Sequence, residues 1–205
     1  MKAWHFAGAT LRDGTAIPAD GVTLRHTGDL KLCASGLHAS QRIINALRYA
    51  PGNTICRVEC SGEIITGDDK LVCSERTILW RVDGDELLRA FSRHCALGVI
   101  DLWNAPDVVR QYLETGDESL RAAASAAAKA AVDAALWAEA AAADAALDAT
   151  AWAAAADAAA RDVSRDAANA AANAAARATA WDAARDAAES KQNDILEAMV
   201  REARR

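Results

Sequence analysis

Glycine and proline are absent from Arg121 onward, although eleven glycines and three prolines are spread through the sequence before it. Between Arg121 and Ala188, 40 of 68 residues are alanine, which has the highest helix propensity of any residue. Turns therefore belong to the N-terminal part, and the C-terminal part is predicted to be helical. The expected fold class is α+β. The predicted segments are a β-rich domain at residues 1–83, a helical connector at 84–117 and an alanine-rich helical domain at 118–205.

The sequence also lacks a basic block and a long apolar run. Its net charge of -6 is spread evenly along the chain, so nucleic acid is not an expected partner. Charged or polar residues interrupt the alanine tract, and no signal peptide or membrane span is predicted. The five cysteines have no disulfide-framework spacing, which indicates a reducing compartment. We therefore expect a cytoplasmic protein without a membrane partner.

Alternating apolar residues and turn signals predict the elements of the N-terminal part. The predicted strands are Lys2–Phe6, Leu30–Cys33, Thr54–Cys60, Glu63–Thr66, Lys70–Cys73 and Arg76–Val82. A short helix is predicted to begin at Ser40, as its N-cap, and to stop before Pro51. Apolar residues at helical spacing predict a helix over 85–97, and another over 107–114 is expected to end at Gly116.

Polar and aromatic residues recur at every fourth position of the alanine-rich region, for example from Asp157 to Glu189. A four-residue period advances about 40° per repeat around a helix, so one long straight helix cannot keep these residues on one face. Two arrangements remain. One is a rod with a spiralling stripe; the other, which we favour, is a bundle of short helices with Trp137, Trp152 and Trp181 between them. Either could bind a protein partner or a second copy of the chain.

Familiar catalytic and metal-binding motifs are missing. There is no G-x-S-x-G, H-E-x-x-H, P-loop or dinucleotide glycine motif. Cysteines and one histidine could be combined into a zinc site: Cys33, His38, Cys56, Cys60 and Cys73. None of them forms a C-x-x-C pair, and two of them alternate with Val58 on a predicted strand face. Core packing is the favoured interpretation, and no metal is expected.

The segment GLHASQRIINALRYAPGNTICRV is the most informative in the chain. A glycine-led strand end, a helix start and a tyrosine before a core strand form an arrangement that a pocket could use. The alternative is structural: Gly36 would serve a turn, His38 would be a hydrogen-bonded polar residue, and Tyr49 would belong to the core. The spacing alone leaves both interpretations open.

Two sets of motifs resemble known families. KAWHF, C-ASGLHAS, ALRYAPG and DDKLV together resemble an uncharacterised domain family that is frequent in phages and prophages. The alanine-rich remainder, introduced by DVVRQYLETGDESLRAAA, resembles an immunity-protein-like region. These resemblances imply a mobile-element setting without an established activity.

The N-terminal domain also resembles the ADP-ribosyltransferase fold of the poly-ADP-ribose polymerase type. Trp4-His5-Phe6 is similar to the family's first motif, and Gly36-Leu37-His38-Ala39-Ser40 is similar to the second, with His38 in the place of a tyrosine. Tyr49 and the following Ile55-Cys56-Arg57-Val58 fit the later tyrosine and its strand. Where the family has a catalytic glutamate, this sequence has Asp68-Asp69-Lys70-Leu71-Val72.

The resemblance implies a cleft for NAD or an ADP-ribose derivative. The implied ligand-binding residues are His5, Gly36, His38, Ser40 and Tyr49. Asp69, or Asp68 as its alternate, would replace the catalytic glutamate with a shorter side chain, so binding is expected rather than efficient transfer.

Three classes of function remain: a ligand-binding domain of ADP-ribosyltransferase type, an interaction module that neutralises a toxin or host-defence protein, and a structural helical protein.

Overall fold

The computed structural model describes residues 1–137, 155, 168 and 181–205. Within these residues, all five strands lie between Lys2 and Asp83, and the later elements are helical. The predicted α+β class, with strands first and helices after them, is therefore confirmed. The chain divides into two compact units, one formed by residues 1–85 with 196–205 and the other by residues 86–195.

The first unit contains one antiparallel sheet. Its strands are β1 (Lys2–Ala7), β2 (Thr23–Arg25), β3 (Leu37–Ala39), β4 (Thr54–Thr66) and β5 (Leu71–Asp83). β4 lies between β1 and β5, and β5 carries both β2 and β3 on its other edge. A tight turn, in which the Gly67 amide donates to the Lys70 carbonyl at 2.8 Å, joins β4 and β5 into a long hairpin.

The end of β3 returns to the free edge of β1. The Trp4 amide donates to the Ser40 carbonyl at 2.7 Å, and the Ser40 amide donates to the Trp4 carbonyl at 2.9 Å. Because β3 also pairs with β5, the order β1-β4-β5-β3 bends back almost to a closed barrel. Small and branched side chains fill its inner face: Ala3, Ala7, Ala39, Cys56, Val58, Cys60, Leu71, Cys73 and Ile78.

The opposite face of the sheet carries two tryptophans. Trp4 and Trp80 meet edge to face with ring centroids 5.8 Å apart. The Arg57 guanidinium lies 4.4 Å from the Trp4 ring centroid, and Arg204 lies 4.5 Å from that of Trp80. Residues 196–205, which the sequence analysis placed with the alanine-rich domain, thus group with the sheet.

Two predictions of local structure near the second motif are wrong. The predicted strand Leu30–Cys33 is instead part of a turn, closed by the Lys31 and Ser35 backbones, with Cys33 in the left-handed region at φ 67°. Ser40 does not cap a helix, because its backbone is paired with Trp4. The helix α1 spans Ile43–Leu47 and follows Arg42, without a side-chain cap.

The predicted strands of the hairpin are correct in place but too short. The segments Thr54–Cys60 and Glu63–Thr66 are one strand, β4, which continues through Gly62 at φ 69°. Lys70–Cys73 and Arg76–Val82 are likewise nearly all within β5. β2 was not predicted, because its three residues carry no alternating pattern.

The two helices predicted at 85–97 and 107–114 begin and end near the predicted positions, and two further helices are described after them. They are α2 (Asp85–Leu97), α3 (Asp107–Thr115), α4 (Arg121–Trp137) and α5 (Trp181–Ala203), the last of which ends in the first unit. Gly116 ends α3 in the left-handed conformation, φ 68°, as predicted. In the described helices no segment is both long and apolar enough to span a bilayer.

The choice between a rod and a bundle, and the placement of Trp152, lie outside the described residues.

Gly36, at the start of β3, holds a position that only glycine fits. Its φ is +108°, and a Cβ atom there would clash with Cγ2 of Val72 and lie 2.8 Å from Cδ2 of Leu30. We expect Gly36→Ala to lower the free energy of unfolding by about 2–4 kcal/mol, measured by urea denaturation. Gly14→Ala is the matched control, since Gly14 has φ +83° but nothing within 4 Å of its Cβ position, and it should cost about 1 kcal/mol. Equal losses in the two variants would contradict the packing role.

Candidate ligand-binding cleft

A cleft of about 770 Å³ opens beside β1 and β3. Its walls come from β1, the loop that follows β1, β3, the end of α1, Lys70 just before β5 and Arg76 within β5. Four of the predicted ligand residues line it: His5, His38, Ser40 and Tyr49. These residues come from three separate stretches of sequence, which the pairing of Trp4 with Ser40 and of β3 with β5 draws together.

Arg76 forms the deepest charged part of the cleft. Its side chain lies on the inner face of β5 and the residue is 5% exposed. Nη1 donates to the His38 carbonyl and approaches Nδ1 of His5 at 3.3 Å. Nε is buried without a hydrogen-bond partner among the described residues. Within that part of the chain no carboxylate pairs with this guanidinium.

His5 is held neutral. Burial, the Arg76 guanidinium and His38 together lower its pKa to about 3. A guanidinium can only donate, so Nδ1 of His5 is the acceptor and the ring proton is on Nε2. Nε2 has no partner among the described residues, and it leaves His5 as a neutral hydrogen-bond donor in the wall of the cleft.

His38 has a different role. The Cys33 amide donates to its Nε2 at 3.0 Å, so that nitrogen is an acceptor and is already occupied. Burial lowers the pKa of His38, with Arg76 adding to the effect. Its carbonyl meanwhile accepts from Arg76. The side chain therefore fixes the turn at Cys33 against β3, while its backbone supports the guanidinium.

Tyr49 stands at the open side of the cleft and is 50% exposed. Its hydroxyl donates to Oδ2 of Asp69 at 2.5 Å, and the Lys70 ammonium lies 4.0 Å from the ring centroid. Interaction with Tyr49, and then with Cys33, raises the pKa of Lys70. These contacts hold the aromatic ring in place at the mouth.

The remaining predicted residues do not line the cleft. Asp68 and Asp69 border a separate pocket of about 80 Å³ near the β4–β5 turn. Asp69 reaches the cleft only through its bond to Tyr49. Gly36 acts on the backbone of β3 and not on the cleft wall. Their predicted roles as catalytic carboxylates and ligand-binding glycine stay predictions.

Arg76 was missed by the sequence analysis, as was the charge that Lys70 and Arg12 bring to the cleft. No signal in the sequence marks Arg76, because the face of β5 on which it lies depends on a register irregularity within the hairpin. Of the cysteines that were considered as zinc ligands and set aside, Cys56, Cys60 and Cys73 are buried, and Cys33 is exposed. In the described part of the chain no three such side chains are placed to share a metal ion.

Residues 1–90 match the model of a family described as a domain of unknown function (DUF7666). Comparisons with curated proteins and with solved structures gave no match. Every residue that lines the cleft falls inside the matched segment. The cleft therefore lies within the part of the chain that is similar to this family.

The depressed pKa of His5 predicts a stability that falls in acid. Between pH 6.5 and about 3, the unfolded chain binds a proton at His5 that the folded chain does not, so stability is lost as the pH falls through this window. The free energy of unfolding should be measured by urea denaturation between pH 7 and pH 4. Below pH 6, that of wild type should fall by about 1.4 kcal/mol per pH unit more than that of His5→Gln. Parallel pH profiles for the two proteins would contradict the neutral, buried ring.

Proposed function

We propose that the N-terminal domain binds NAD or an ADP-ribose-like nucleotide in the cleft. The observation that carries the proposal is the meeting of His5, Ser40 and Tyr49 around one concavity of about 770 Å³. This volume lies within the range of about 300–1,000 Å³ that small-molecule and cofactor sites occupy. The motif resemblance of residues 1–82 supplies the ligand class.

His5 is suited to hold a ribose hydroxyl. Its ring is neutral, Nδ1 is occupied by Arg76, and Nε2–H is a donor without a protein partner among the described residues. A neutral N–H donor of this kind can donate to a hydroxyl or carbonyl oxygen without bringing a charge into the cleft. Ser40 lies beside it on the same wall.

Tyr49 is suited to contact a flat heterocycle. Half of the residue is exposed. Its hydroxyl donates to Asp69, and the Lys70 ammonium contacts one face of its ring. A ring that is already held loses little side-chain entropy on binding, and an aromatic contact is worth about 1 kcal/mol beyond area burial.

Binding is proposed without efficient transfer. Asp69 is one methylene shorter than the glutamate of the resembling family, and its carboxylate accepts from Tyr49. A displacement of about 1 Å can cost roughly a hundredfold in rate. Asp68 lines the same small pocket beside it. We expect nicotinamide release from NAD to stay close to the rate without protein.

The proposed setting is a phage or prophage accessory protein in the cytoplasm, with the helical region available to a protein partner. Five free cysteines suit a reducing compartment. The alternatives, an immunity protein that neutralises a toxin and a structural helical protein, require no ligand in the cleft. A ligand-binding test therefore separates them from the proposal.

The test is calorimetry and thermal shift of the full chain with NAD and ADP-ribose. Both should raise the melting temperature, because a ligand that binds only the folded state stabilises it by mass action. Tyr49→Ala should weaken binding about five- to tenfold through loss of the ring contact. Tyr49→Phe is the matched control: it keeps the ring, loses the bond to Asp69 and should bind within about threefold of wild type.

The proposal fails if neither nucleotide raises the melting temperature at millimolar concentration. It is also contradicted if Tyr49→Ala and wild type bind equally, since the ligand would then lie elsewhere.

A further inference from the structure

Arg76 is a buried charge without a counter-charge among the described residues. Its guanidinium contacts the His38 carbonyl and the neutral His5 ring through Nη1. Its Nε has no hydrogen-bond partner among the described residues. An isolated charge in a protein interior costs several kcal/mol unless it is paired or otherwise solvated. The half-buried Arg81 of the same strand does find a carboxylate, that of Asp20 at 2.6 Å. Arg76 instead directs its charge into the cleft wall.

The thiols around Arg76 are the potential counter-ions that the described residues place inside the barrel. Burial raises the pKa of Cys56 to about 11, which keeps that thiol neutral. Interaction with Cys73, followed by burial, raises the pKa of Cys60, and interaction with Cys60 lowers the pKa of Cys73. Cys73 Sγ also lies 3.3 Å from the Leu37 carbonyl, a contact that needs the thiol proton. If Cys73 lost that proton, its thiolate would neutralise Arg76 from within the barrel, and this is the competing explanation that the described residues offer.

The cleft is positive although the chain is negative. Arg12, Lys70 and Arg76 line it, against a single lining carboxylate, Asp13. That carboxylate is occupied by the Thr15 amide at 3.0 Å and hydroxyl at 2.7 Å. The net charge of the whole chain is -6. A positive cleft attracts anions even though the chain as a whole is negative.

We infer that Arg76 is the anchor for a phosphate group of the ligand, bound at the buried end of the cleft. The inference rests on the proposed function, since it concerns the same cleft, and it adds which part of the nucleotide goes where. The phosphate is held by Arg76, the adjoining ribose meets Nε2–H of His5, and the heterocycle extends toward Tyr49 at the mouth. The planar guanidinium, which offers its remaining N–H groups, suits the oxygens of a phosphate.

This placement makes the phosphate the required part of the ligand. Pyrophosphate and ADP-ribose should bind, whereas nicotinamide and adenosine, which lack the charge, should not. The free protein should also carry the cost of the unpaired guanidinium. Replacing Arg76 by an apolar residue is therefore expected to leave the ligand-free protein at least as stable as before. The same replacement should abolish binding of the phosphate.

The experiment is thermal shift and calorimetry of the full chain with sodium pyrophosphate, ADP-ribose, adenosine and nicotinamide at constant ionic strength. The variants are Arg76→Met and Arg76→Lys, with Arg25→Met as the control, because Arg25 is an exposed β-strand arginine outside the cleft that pairs with Glu75 at 3.2 Å.

Pyrophosphate and ADP-ribose should raise the melting temperature of wild type and of Arg25→Met, whereas adenosine and nicotinamide should not. Arg76→Met should lose the pyrophosphate response, weaken ADP-ribose binding by about ten- to a hundredfold and melt no lower than wild type without ligand. Arg76→Lys, which keeps the charge but not the planar fork, should retain a weakened response.

Three results overturn the inference. One is the absence of a pyrophosphate response in wild type at 10 mM, about the upper limit of weak specific binding. Another is an unchanged ADP-ribose affinity in Arg76→Met. The third is thiolate absorption in wild type at pH 7 that Cys73→Ser removes, because Arg76 would then be neutralised from within.

The inference and the proposed function fail separately. If NAD binds but Arg76→Met binds it equally, the function stands and the phosphate anchor falls. If pyrophosphate binds through Arg76 but NAD and ADP-ribose do not, the anchor stands and the nucleotide assignment falls.

Discussion

The two hydrogen bonds between Trp4 and Ser40 are the constraint on which the cleft depends. β3 is only three residues long, yet it pairs with β5 on one side and, through Ser40, with β1 on the other. Strands of this length contribute little stability on their own, so β3 is held by both neighbours together. Its position brings His38 next to His5 and Arg76, which are far from it in sequence. The cleft is lined by β1 and β3, the two segments that these hydrogen bonds join.

The charge inside the barrel is supported by groups that cannot neutralise it. The His38 carbonyl and the His5 ring accept hydrogen bonds from Arg76 without carrying negative charge. The same guanidinium forces the His5 proton onto Nε2 and helps to keep the ring neutral. One buried arginine thus sets the tautomer of one neighbour and the backbone orientation of the other. Strongly perturbed pKa values such as that of His5 cluster at functional sites.

Helices and strands whose pattern of apolar residues or terminal glycine is local could be predicted from the sequence. The apolar spacing of residues 85–97 and the left-handed Gly116 determine α2 and the end of α3 without help from the rest of the chain. The alternation at Thr54–Cys60 predicted the first part of β4. The segment Leu30–Cys33 looked like a strand by composition, but Cys33 adopts a positive φ that composition does not reveal.

The site was only partly predictable, because its key residue depends on a change of strand face. In the pairing of β4 with β5, Arg57 lies opposite Trp80 and Val58 lies opposite Ile78, so Leu79 has no partner. Ile78 therefore packs inside the barrel, whereas Trp80, two residues later, contacts Trp4 edge to face outside it. Simple alternation would place both on one face. Without the position of this irregularity, the sequence could not show that Arg76 points inward. His5, Ser40 and Tyr49 were found instead through motif resemblance, which required no knowledge of the register.

A phosphate on Arg76 would act on His5 as well, and the two roles remain compatible. The anion would offset the positive charge that helps to depress the pKa of His5. Burial, however, is the largest cause of that depression, with Arg76 second and His38 third. A ligand that fills the cleft adds further desolvation and so opposes protonation again. Nδ1 also stays within reach of the guanidinium as its acceptor. With the proposed ligand bound, His5 would therefore keep its neutral, Nε2-protonated form, which is the form that can donate to a ribose hydroxyl.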